Sequence, residues 1–168
     1  NAQLNLARFY FAHGLYYEAL GALNLASKAS PSLSGTINAA LMKAVCMSII
    51  SQSVDARVEF ANLKNKFSGT SNIQEIKLWD RYNEYLLGNT SIDQIGVLDN
   101  KLVQSYPDDL YWKLVLAELD LATEKKNLKL LDSVLKSARG AKEAHVISNL
   151  KYYRAQYYYM LHQSNLAI

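Results

Sequence analysis

Residues 2–31 read AQLNLARFYFAHGLYYEALGALNLASKASP. Apolar side chains recur at helical spacing through Leu4, Leu6, Ala7, Tyr10 and Phe11. Gly14 interrupts the pattern, and a second one follows through Ala19, Leu20, Leu23, Leu25 and Ala26 up to Pro31. Both segments are helix-length and the break between them is very short, which predicts an antiparallel helical hairpin. Ala7 and Ala19 carry little beyond a methyl group, so the two helices approach closely where they cross. Gly14 accepts a positive φ at the turn, which other residues adopt only at a cost. Tyr10, Tyr16 and Leu23 are expected to fill the space between the helices, and Pro31 suits the junction to the next one.

The same residues resemble a tetratricopeptide repeat. Leu6, Ala7 and Tyr10 match the family's first-helix pattern. Gly14 and Tyr16 match its turn glycine and following aromatic residue, and Ala19, Leu23 and Ala26 match its second helix. Pro31 matches the closing proline, whereas Gln3 stands where the family has a tryptophan. The resemblance implies an all-α chain wound as a right-handed superhelical solenoid of antiparallel helix pairs. It also implies a function in binding protein or peptide on the concave face.

Looser copies follow. Ala39–Ser51 and Asp55–Phe67 form a second pair, with Ala44 and Ala56 at the close-packing positions and Phe60 at the large one. Ser68–Asn72 is a turn-forming run. A third pair is expected over Gln74–Leu87 and Ser91–Ser105, turning at Gly88–Asn89, with Ile95 in place of the small residue and Pro107 near the closing position. Asp109–Thr123 and Leu128–Ala138 form a fourth pair around Lys126–Asn127, and Glu143–His162 reads as one long helix, either a cap or the start of another repeat. The organisation is a single repeat domain over 1–168 with units 1–34, 36–70, 74–107, 109–140 and 143–163. It reads as part of a longer protein.

Chemistry-bearing patterns are sparse. Cys46 lies among apolar neighbours and is the one cysteine, so neither an internal disulfide nor a cysteine-based metal site is available. His13, His145 and His162 lie in three separate regions, and no phosphate-cradling glycine loop or HExxH pattern occurs. Asp80 with Glu84, and Glu118 with Asp120, are the acidic pairs, and Lys77 and Arg81 offer the first pair ordinary surface partners. The expectation is therefore a protein without catalysis, cofactor or metal. Gly21 falls inside the second helix of the first pair, where a close contact with the next repeat would account for it.

The formal net charge is +3, unevenly distributed. Lys125, Lys126, Lys129, Lys136, Arg139, Lys142, Lys151 and Arg154 make the C-terminal part basic. The segment LKYYRAQYYYMLHQ adds Tyr152, Tyr153, Tyr157, Tyr158 and Tyr159. Arg and Tyr are enriched at interface cores, and Tyr153 and Tyr157 are four apart on one helical face.

The candidate partner-binding residues are Asn5, Arg8 and Phe11 with Ala12 in the first repeat, and Met42, Val45 and Ile49 with Ser48 in the second. Asp80 and Asn83 are candidates in the third, and Tyr153 and Tyr157 in the last helix. The expected partner is a protein or peptide, or an adjacent domain of the parent chain. The alternatives are RNA or another polyanion on the basic, tyrosine-rich region, and a structural spacer. Nucleic acid is the less favoured partner, and no membrane-spanning run is present.

Overall fold

The computed structural model describes residues 2–30, 36–98 and 101–166. Pro31 lies outside the described residues. Among the described residues, eight α-helices and one 3-10 turn account for the regular structure, and no β-strand occurs. The chain folds as two compact units, Asn1–Asn89 and Thr90–Ile168.

The first unit contains α1 (Ala2–Ala12), α2 (Tyr16–Ala29), α3 (Ile37–Ile49), α4 (Ser53–Lys66) and α5 (Ile73–Leu86). Each helix packs on the next: α1 on α2, α2 on α3, α3 on α4 and α4 on α5. Ala7 and Ala19 are completely buried, and so are Ala44 and Ala56 in the second pair. A methyl group at these places lets two backbones approach, and a longer side chain there would cost about 1–3 kcal/mol through overpacking. Leu23 and Phe60 fill the neighbouring large positions and are buried. Tyr16 is buried, whereas Tyr10 is half-buried against the cluster of Leu4, Ala7, Ala22, Leu23 and Ala39.

The turns repeat in detail. Positive φ occurs at Gly14 (74°), Ser51 (67°), Gly88 (70°) and Lys126 (53°), at intervals of 37, 37 and 38 residues. The same backbone bonds surround each one. The N–H groups of Leu15, Gln52, Asn89 and Asn127 donate to the carbonyls of Tyr10, Met47, Glu84 and Ala122, at 2.8–3.0 Å. Each bond spans five residues and ties off a carbonyl at the end of the preceding helix, the usual exit when a left-handed residue closes a helix. Ser51 and Lys126 hold this conformation without the freedom of glycine.

The third pair departs from expectation. Among the described residues, no α-helix covers 91–98 or 101–105. Thr90 to Leu98 is irregular, and a 3-10 turn spans Lys101–Ser105. The repeat spacing shows which residues differ here. Arg81 occupies the crossing position held by Ala7 and Ala44, and Asp93 the position held by Ala19 and Ala56. Gly96 adopts φ 95°, which no α-helix contains. The residue at the small position is thus Asp93, and Ile95 instead is fully buried beside Val97. Gly21 also departs: it is exposed with nothing within 4 Å of a Cβ placed on it.

The second unit contains α6 (Asp108–Glu124), α7 (Leu128–Ser137) and α8 (Ala144–Leu166), packed on one another. Asn127 caps α7 by accepting the Leu130 N–H at 3.1 Å. The fully buried Glu118 carboxylate holds the irregular segment, accepting N–H bonds from Gly96 at 2.8 Å and Val97 at 3.3 Å. These donors would otherwise lack partners, because no helix supplies them with carbonyls.

Candidate functional site

The repeating turn gives a ruler for comparing the first helix of each pair. The positions six, three and two residues before the turn residue are Arg8, Phe11 and Ala12 in α1. They are Val45, Ser48 and Ile49 in α3, and Tyr82, Tyr85 and Leu86 in α5. Arg8, Ala12 and Leu86 are exposed, and Phe11, Ile49 and Tyr85 are half-buried. Val45, Ser48 and Tyr82 are buried. The last turns of the three helices therefore present an apolar and aromatic set with one cation. Phe11 packs edge-on against Tyr16, with ring centroids 5.7 Å apart, which fixes its orientation.

Tyr85 and Leu86 take the third repeat's places in this set, and neither stands among the residues expected from the sequence. The spacing of 74 residues between Gly14 and Gly88 carries the signal, since it maps Phe11 and Ala12 onto them. Asp80 and Asn83, the residues expected in this repeat, face other helices of their own unit. The Asp80 carboxylate accepts from Lys64 Nζ at 2.6 Å. Asn83 is completely buried: its Oδ1 accepts from the Ser48 hydroxyl at 2.9 Å, and its Nδ2 donates to the Ser53 carbonyl at 2.9 Å. Asn5 and Met42 lie on a different helix face, exposed in α1 and half-buried in α3.

Tyr153 and Tyr157 share the inward stripe of α8 with Val146 and Leu150, at the spacing of a buried helix face. Tyr153 is buried, and its hydroxyl lies 3.5 Å from Asp120 Oδ1. Desolvation, reinforced by the Asp120 charge, pushes its phenol up to about 12. Tyr152, Tyr158 and Tyr159 are the exposed rings of this helix.

Several of the basic residues have internal roles. The Arg139 guanidinium lies 4.0 Å over the Tyr111 ring and donates to the carbonyls of Val103, Gln104 and Tyr106. It also meets the Asp108 carboxylate at 3.2 Å, so it ties the 3-10 turn to the start of α6. Lys125 donates to the Thr90 carbonyl. Lys136 pairs with Asp132 at 2.6 Å, and this hydrogen bond raises its pKa.

Burial pushes the Cys46 thiol up to about 12, opposite to the activation a nucleophile requires. Among the described residues, no group of three or more His, Cys, Asp and Glu is placed to hold a metal ion. No described helix is long and apolar enough to cross a membrane. A half-open cavity of about 280 Å³ lies in the first unit, lined by Leu4, Leu23, Ala26, Ala39 and Ala40. The Lys43–Glu59 ion pair, at 2.5 Å, also lines it. No family model, no curated protein and no solved structure matches this chain.

Proposed function

We propose that the chain is a non-catalytic recognition scaffold of the tetratricopeptide-like class. In this reading it is a solenoid of antiparallel helix pairs that binds an extended or helical segment of a protein partner along its first helices. One observation carries the reading: a similar turn returns every 37 or 38 residues and sets Phe11 with Tyr85, and Ile49 with Leu86, at matching positions, with Arg8 beside the first. A regular backbone with irregular surface residues suits a scaffold whose specificity lies in side chains. The interval exceeds the tetratricopeptide repeat of about 34 residues by three or four, so the reading rests on the pair architecture and not on repeat length. The partner segment is expected to be mainly apolar, with a carboxylate to meet Arg8.

The test is selection of peptides from a displayed library against the full chain, followed by titration of selected peptides. Replacing Phe11 and Tyr85 by alanine is expected to weaken binding by about tenfold or more, as for central aromatic contacts. Selection of no peptide, or of peptides indifferent to these residues, would overturn the assignment. Polyanion binding is disfavoured because Arg139, Lys125 and Lys136 are engaged within the chain.

A further inference from the structure

We propose that the α1 surface formed by Ala2, Asn5, Leu6 and Phe9 is a docking site for one further helix pair, stacked against it as α1 and α2 stack against α3. The positions twelve, nine and five residues before each turn residue define one face of the first helix. They are Ala2, Asn5 and Phe9 in α1, Ala39, Met42 and Cys46 in α3, and Ile76, Trp79 and Asn83 in α5.

In α3 and α5 this face is covered. Ala39 and Cys46 are buried, and Ala39 and Met42 pack with Leu4, Ala7, Ala22 and Leu23 of the preceding pair. Ile76, Trp79 and Asn83 are all buried, and Asn83 bonds to Ser48 and Ser53 of the pair before it. In α1 the same three positions are exposed. Phe9 is 54% exposed where Cys46 and Asn83 are 0%, and Leu6 beside it is 44% exposed.

The covered copies identify the occupant. At both, the cover is a helix pair, and at α3 its contribution is small and aliphatic. The α1 face asks for the same kind of cover. It carries no charged side chain, and Phe9 is large where Cys46 is small, whereas Asn5 is shorter than Met42. The occupant is therefore an antiparallel hairpin in the same 37-residue register, presenting small aliphatic residues as α2 presents Ala22 and Leu23. This site lies on a different face of α1 from Arg8 and Phe11 and does not rest on the proposed peptide recognition.

The test adds such a pair to the full chain by placing a second copy of residues 1–37 directly ahead of Asn1, which preserves the register. The added pair is expected to raise the helical signal. It is also expected to slow amide exchange over Leu6–Phe9 of the original copy by about tenfold or more, because the added pair covers the face that Leu6 and Phe9 expose. Phe9→Asp in the original copy is expected to abolish the protection, and Phe9→Leu to keep it. An added segment that gains no helix, or gains it without protecting Leu6–Phe9, overturns the proposal. So does a concentration-dependent dimer of the unextended chain that Phe9→Asp dissociates, which would assign the face to a second copy.

Discussion

Asn83→Ala tests whether stacking in the first unit depends on a buried polar link. Asn83 joins three helices: from α5 it accepts the Ser48 hydroxyl of α3 and donates to the Ser53 carbonyl at the start of α4, both at 2.9 Å. Each bond is worth about 1 kcal/mol net. Truncation also leaves space where a completely buried amide stood, so the expected loss is about 2–3 kcal/mol. Ser48→Ala should cost less, about 1–2 kcal/mol, because Asn83 keeps its bond to Ser53. The two changes share one bond and should couple by about 1 kcal/mol. Urea unfolding is the assay, followed by the fluorescence of Trp79 in a Trp112→Phe background, so that only the first unit reports. With a denaturant slope of about 1 kcal/mol/M, the midpoint should fall by roughly 2 M for Asn83→Ala. A shift below about 0.3 M, or no coupling between the two sites, would refute the role given to this network.

Other consequences are equally direct. Gly88→Ala should destabilise the first unit by about 1 kcal/mol, since φ is 70° there, whereas Ser51→Gly should be neutral or stabilising, both read by thermal unfolding. Stability should fall as pH rises above about 9, because the unfolded thiol of Cys46 ionises near its ordinary 9.0 while the folded one is held near 12. The loss from this group reaches about 2–3 kcal/mol near pH 11, and Tyr153, raised from 10.0 to about 12, adds to it in the same direction. Cys46→Ala should flatten the thiol's part of the alkaline limb in urea titrations run from pH 8 to 11. Glu118→Ala should speed amide exchange at Gly96 and Val97 by more than tenfold, because the carboxylate is their acceptor.

Helix positions were legible wherever small residues marked a crossing. Ala7 with Ala19 and Ala44 with Ala56 located two pairs, and the helix ends fell within one or two residues of the boundaries observed. The exact repeat interval was not legible, because the residue that marks it changes identity. Gly14 and Gly88 are conspicuous, but Ser51 and Lys126 adopt the same φ without advertising it. Without that ruler, the third repeat is read through Asp80 and Asn83, and Tyr85 and Leu86, the counterparts of Phe11 and Ala12, go unnamed. Periodicity shows that a residue lies on a helix, while the neighbouring helix decides whether it is exposed. Tyr153 and Val45 are buried for that reason, by neighbours that no local pattern reveals.

The missing second helix of the third pair yields the sharpest remaining test, because one cause can be put to it directly. Arg81 and Asp93 replace the alanines of the crossing, and Gly96 sits at φ 95°. If sterics and charge at the crossing are the cause, Arg81→Ala with Asp93→Ala and Gly96→Ala should recover helix over part of 91–98. The gain would be read as added far-ultraviolet helical signal and new sequential amide contacts by nuclear magnetic resonance. Gly96→Ala alone should instead cost about 1–2 kcal/mol, since it strains the existing backbone without opening a crossing. Glu118 opposes the conversion, for its carboxylate already holds the Gly96 and Val97 N–H groups that a helix would need. The triple variant should therefore respond more strongly when Glu118→Gln is added, which keeps an acceptor but removes the charge-assisted bonds. A triple variant with unchanged helix content, with or without Glu118→Gln, would show that the irregular path is fixed by the rest of the second unit and not by the lost crossing.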